Sequence, residues 1–136
     1  MTFFIIFAII IIENEIKGEM KMEKRHALYL FLDDVREANI PNLNNQFKYY
    51  CVTKHVNGAK HYVTEAIEAG INEIWFDLDH DLGDYASQGG DAIKLVDWLV
   101  EEFHDKNVVF KFHFHSMNPV GVQNMKNTIK KYWEVY

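Results

Sequence analysis

Residues 27–32 (Ala-Leu-Tyr-Leu-Phe-Leu) are apolar at nearly every position, and the run stops abruptly at Asp33-Asp34. A strand that is apolar on both faces needs cover on both, which is the situation of a central strand in a parallel sheet. Three further segments read as strands: 47–53, 73–78 and 108–114. Helical spacing lies between them. Thr64 can cap a helix carrying Ala66, Ile67 and Ala69, with Gly70 as its stop. Residues 91–104 place Ile93, Leu95, Val96, Leu99, Val100 and Phe103 on one wide face. The chain closes on a helix over 118–133, apolar at Val122, Met125, Ile129 and Trp133. The polar stretch with Asn39, Pro41, Asn42, Asn44 and Asn45 reads as loop. Strands alternating with helices predict right-handed crossovers, a mostly parallel sheet of four to five strands and helices on both sides: a three-layer α/β/α sandwich.

At 136 residues with 49% hydrophobic content, the chain suits one packed domain, assigned here to residues 23–136. A net charge of -6 argues against a surface that grips long nucleic acid, because such surfaces are basic. A small anion or an RNA end needs only local positive charge. The one cysteine, Cys51, excludes an internal disulfide and fits a reducing, cytoplasmic setting. Residues 1–22 read as an extension outside the domain, with Met20 and Met22 standing just before the first convincing strand. Residues 3–12 are almost purely apolar, but ten residues are too few to cross a bilayer. Positive charge before them and small residues at a cleavage position are both lacking, so no stable membrane association is expected.

Three strands run into polar clusters at their C-terminal ends, the side on which open parallel sheets bind ligands. The first is Asp33-Asp34-Val35-Arg36, and the second is Asp77-Leu78-Asp79-His80-Asp81-Leu82-Gly83. The third is His113-Phe114-His115-Ser116-Met117-Asn118-Pro119. Carboxylates brought together there repel unless a cation or proton lies between them. Oxygen donors favour Mg²⁺ or Mn²⁺, while the imidazoles also permit zinc or iron. Each cluster has a plainer reading too: an aspartate pair after a strand serves as turn and helix cap, and the Asp79–Gly83 stretch serves as a polar turn.

In the fourth strand Lys111, His113 and His115 share one face. His113 is expected to be structural and paired to an acid such as Asp77, whereas His115 at the strand tip is the expected catalytic or ligand residue. Asn118 and Pro119 fit the cap and first position of the last helix, whose N-terminus suits a phosphate. Gly90 opens the preceding helix and allows a ligand to approach the backbone.

The motifs Leu32-Asp33-Asp34-Val35-Arg36, Asp79-His80-Asp81-Leu82-Gly83, Gly90-Asp91 and His115-Ser116-x-Asn118-Pro119-Val120-Gly121 resemble those of the cyclic-phosphate-processing receiver-like domains. These are bacterial and phage relatives of response-regulator receivers. The resemblance runs from Ala27 to Ile129 and leaves the apolar N-terminus outside. It implies a receiver-type, flavodoxin-like fold in which Asp33 and Asp34 bind a divalent metal and Asp79 occupies the phosphoacceptor position. No clear fifth strand with the receiver lysine is present, and 132–136 is the only stretch available for one. The resemblance therefore implies action on a cyclic phosphate, an RNA 2′,3′-cyclic end or a cyclic nucleotide, rather than ordinary phosphorelay. The expected site has Asp33, Asp34, Asp79 and Asp81 as metal ligands, and His115, Asp79 and His80 as catalytic groups. Arg36, Ser116, Asn118 and Gly90 are expected to hold the substrate. The rival expectations are a signalling receiver phosphorylated on Asp79 and a nucleotide sensor that does not turn over.

Overall fold

The computed structural model describes residues 23–136, so the reading of residues 1–22 as an extension lies outside the described residues. Five parallel strands form one sheet in the order β2-β1-β3-β4-β5. These are β1 (Arg25–Leu32), β2 (Phe47–Thr53), β3 (Glu73–Leu78), β4 (Val109–Phe114) and the two-residue β5 (Glu134–Val135). The helices are α1 (Ile40–Gln46), α2 (Val56–Glu68), α3 (Ala92–Phe103) and α4 (Pro119–Ile129). The layout is a receiver-like α/β/α domain. No helix among the described residues is long and apolar enough to cross a membrane.

The core lies on one face of the sheet. Leu28, Leu30, Leu32, Ile74, Phe76, Leu78, Phe110 and Phe112 alternate onto it and are fully buried beneath Val63 of α2, Leu95 of α3 and Met125 of α4. Trp133 packs on Phe110 and Phe112 from beyond α4. Cys51 is buried there, as its apolar neighbours imply. The opposite face carries Tyr29, Phe31, Trp75, Asp77, Lys111 and His113, and α1 packs at its lower end through Leu43 against Ala27 and Phe47.

Two local readings are corrected. Residues 40–46 are helical, because the Asn39 side chain accepts the N–H of Asn42 at 3.2 Å, Pro41 suits a first turn, and Leu43 anchors the segment on the sheet. Helix α2 begins eight residues before Thr64. His55 caps it, its Nδ1 accepting the N–H of Gly58 at 2.9 Å, and Thr64 is interior, donating its hydroxyl to the carbonyl of Lys60. Gly70 adopts φ +90 and ends the helix as expected.

Candidate functional site

The backbone ladder continues past the strand ends and aligns the three polar clusters. Asp33 donates its N–H to the Thr53 carbonyl at 3.2 Å, Asp79 to Leu32 at 2.9 Å, and His115 to Leu78 at 3.0 Å. Since β1, β3 and β4 are parallel neighbours, residues 33, 79 and 115 emerge side by side on one rim.

Asp33 is 2% exposed. One of its oxygens accepts the N–H groups of Val35 and Arg36 at 2.8 and 2.7 Å, and the other faces Nε2 of His115 at 2.8 Å. Burial works to raise its pKa. The two N–H donors and the imidazole outweigh that and hold the carboxyl below the usual range. Asp79 goes the other way. Burial, then the charge of Asp33, push its pKa up, although the His80 N–H and the Ser116 hydroxyl oppose them. One carboxylate oxygen from each of Asp33, Asp34 and Asp79 lies within 4.8 Å of the other two.

These residues open onto a pocket of about 290 Å³, which Arg36, Asp81, Ser116 and the exposed Val35 and Met117 also line. Arg36 is tethered through Nη1 to the His115 carbonyl at 2.6 Å, which fixes a guanidinium beside the carboxylates.

His115 is held from both sides. Its Nδ1 lies 2.5 Å from Asp77 and its Nε2 faces Asp33, while the ring stacks on Phe31 at 5.0 Å between centroids. Only the doubly protonated ring can donate to both carboxylates. Burial opposes that charge, but the hydrogen bonds to Asp77 and Asp33 dominate and raise the pKa of His115. The second oxygen of Asp77 accepts the hydroxyl of Tyr29, whose own pKa is raised by burial and by that carboxylate. A chain Tyr29–Asp77–His115–Asp33 thus runs over the sheet to the rim. The acid partner expected for His113 belongs to His115 instead. The ring of His113 is exposed and lies near the Tyr136 carbonyl, whereas the strand tip turns His115 back over Phe31.

The remaining predicted residues sit at or beyond the pocket edge. Asp81 lines it but stands outside the three-carboxylate group. Its side chain is 62% exposed and accepts from His80 at 2.7 Å and from Asn118, and those bonds, led by His80, lower its pKa. His80 is not among the residues lining the pocket, and its ring packs on Gly121, where an added Cβ would sit 2.6 Å from it. Asn118 caps α4 by accepting the N–H of Gly121 at 2.9 Å. Gly90, at φ +91, lies in the turn before α3 and is not among the residues lining the pocket.

Sequence reasoning missed Tyr29 and Phe31, and placed Gly83 in a motif without giving it a role. The first two share a face with Asp33 by two-residue alternation, and that signal could have found them. Gly83 adopts φ +54, and an added Cβ would lie 2.8 Å from Oδ2 of Asp34. A Gly83→Ala variant is therefore expected to cost about 1–2 kcal/mol in backbone strain and to displace the Asp34 carboxylate. Thermal melting should show this as a Tm fall of several degrees.

Residues 28–131 match the model of the cyclic-phosphate processing receiver domain. The chain belongs to this family. No curated protein matches it. Within this receiver domain, the matched span contains every member of the acidic pocket and of the His115 chain, and it ends just beyond α4.

Proposed function

We propose that this receiver domain is a metal-dependent phosphoesterase that opens a cyclic phosphate, at an RNA 2′,3′-cyclic end or in a cyclic nucleotide. The observation that carries the reading is the convergence of Asp33, Asp34 and Asp79 within 4.8 Å beside Arg36 and Ser116, in a domain of a family named for cyclic-phosphate processing. The donors suit a hard divalent ion. All three are carboxylates, and the pKa of Asp79 is raised by burial and then by the charge of Asp33, both of which a bound cation would offset. Both nitrogens of His115 are committed to aspartates, which favours Mg²⁺ or Mn²⁺ over metals that take imidazole. Asp33, Asp34 and Asp79 would hold the ion, and bound there it supplies polarisation of a phosphoryl oxygen and a more acidic water.

The chain's own groups do the rest. The free N–H groups of Arg36 hold the phosphate oxygens, while the hydroxyl proton of Ser116 is turned to Asp79. A water oxygen attacks phosphorus, the ring P–O bond breaks, and the product is an open monoester. Asp79 takes the proton of the attacking water and returns one to the departing oxygen. His115 reaches the pocket only through Asp33, so its part is to keep that carboxylate ionised and oriented. The exposed Val35 and Met117 offer apolar contact to a nucleoside.

The test is incubation with a dinucleotide ending in a 2′,3′-cyclic phosphate and with cyclic nucleotides, in Mn²⁺. Ring-opened monophosphate that disappears with a chelator is the expected result. The receiver alternative has its own support, since Asp79 follows β3 beside the acidic pair, where a phosphoacceptor stands. A phosphoryl adduct from acetyl phosphate that Asp79→Asn abolishes, without hydrolysis of any cyclic phosphate, would establish signalling instead. Thermal stabilisation by a cyclic nucleotide without product would establish a sensor.

A further inference from the structure

Two cations stand at the rim, and among the described residues neither forms an ion pair with a carboxylate. Arg36 donates through Nη1 to the His115 carbonyl at 2.6 Å, and Lys54 donates through Nζ to the Asp34 carbonyl at 3.3 Å. Lys54 directly follows β2, whose last residue, Thr53, accepts the Asp33 N–H, so its backbone is carried to the same rim. The ammonium also lies 5.8 Å from the ring centre of Tyr85, in the 3₁₀ turn over Gly83–Ser87. The strand order β2-β1-β3-β4 puts the Lys54 tether on the β2 side of the carboxylates and the Arg36 tether on the β4 side.

A carbonyl oxygen and an aromatic face hold a cation without neutralising it. The pocket between the tethers is lined by the carboxylates of Asp33, Asp34, Asp79 and Asp81, which repel an anion unless positive charge meets it. Arg36 supplies that charge for one phosphate. A second unneutralised cation, on the other side of the carboxylates, makes a place for another. We propose that the preferred substrate carries two phosphates on one nucleoside: a 2′,3′-cyclic phosphate beside Arg36 and a 5′-phosphate met by Lys54. This rests on the phosphoesterase reading of the rim and narrows it. A 3′,5′-cyclic nucleotide has its 5′ oxygen inside the ring and offers no second phosphate. The pocket, at about 290 Å³, is at the small end for a nucleotide site. The 5′ side of the sugar therefore projects out of it, and Lys54 is exposed beside its Asp34 wall. The flexible four-carbon stem lets the ammonium follow a phosphate there.

The test measures KM, for the full chain in Mn²⁺, on adenosine 2′,3′-cyclic phosphate, on its 5′-phosphorylated form and on a dinucleotide ending in the same cyclic group. A 5′-phosphate, free or within the diester, should lower KM about fivefold relative to the bare compound. Lys54→Met should bring that ratio close to one, and added salt should shrink it in the wild type. Whichever 5′-phosphate gives the larger ratio identifies the source, a free nucleotide or an RNA chain. A wild-type ratio near one, or a ratio that survives Lys54→Met, would overturn the inference and leave the phosphoesterase reading standing. No ring opening with any of the three compounds would overturn that reading and the inference with it.

Discussion

Replacing Asp79 with asparagine should lower the proposed cyclic-phosphate turnover about a thousandfold and, in metal-free protein, raise Tm by a few degrees. The first effect follows from losing a proton acceptor and one of three charges around the proposed ion. The second follows from the environment that now burdens Asp79. It is partly buried beside the ionised Asp33, and its pKa is raised for those reasons. A carboxyl with a higher pKa in the folded than in the unfolded chain destabilises the fold once pH exceeds the unfolded value, fully so above the folded one. The amide keeps the shape and still accepts the His80 N–H that now reaches Oδ1 at 2.9 Å, but it removes the charge. The gain should accordingly be visible at pH 7 and absent near pH 3. Adding Mn²⁺ should reverse the order, since an ion bound to the folded state stabilises the wild type more. Melting curves with and without Mn²⁺ at both pH values check this. A variant that is destabilised without metal would show that Asp79 is held by compensating contacts rather than crowded by Asp33.

The strands themselves and the rim at their C-terminal ends were legible because they depend on short-range pattern. The apolar run 27–32 is buried at most of its positions, and a strand of that kind has few places in an α/β sheet. Its end at Asp33, with Asp79 and His115 at the ends of β3 and β4, then makes convergence a matter of topology. What sequence could not supply was side-chain direction beyond the last ladder bond. His113 is the residue in register with Asp77, and alternation alone makes it the natural partner. The actual partner is His115, because leaving the strand frees its ring to fold back over Phe31. Helix α1 was hidden for a similar reason: its polar composition reads as loop, and the one buried contact of Leu43 outweighs that propensity. His80 illustrates another limit. Its place inside a motif made it look chemical, and no local pattern shows that its ring packs on Gly121, forty-one positions on, while bonding Asp81 at the pocket edge.

Removing the His115 ring should be the most damaging single change to stability among the site residues. His115→Ala leaves Asp33, whose side chain is 1% exposed, and Asp77, at 14%, without the cation that both face. Breaking a buried ion pair by deleting one partner costs about 3–5 kcal/mol, which for a domain of this size is a Tm fall on the order of 10 °C. The loss should depend on pH in a defined direction. The folded pKa of His115 is raised, so its contribution is fully present below the unfolded value, about 6.5, and disappears as pH rises through the higher folded value. Wild-type Tm in metal-free buffer should therefore fall between pH 6 and pH 9, and the His115→Ala profile should be flatter over that range. Asp33 works at the other end: its lowered pKa adds stability at neutral pH that is lost as pH falls through the acid range. Adding Asp77→Asn to His115→Ala should restore part of the loss, because one of the two stranded charges is gone, and the double-mutant cycle should show coupling above about 1 kcal/mol. Additive losses and an unchanged pH slope would mean that the ring acts by packing on Phe31 alone. In that case Asp33 would owe its ionisation to the Val35 and Arg36 N–H groups.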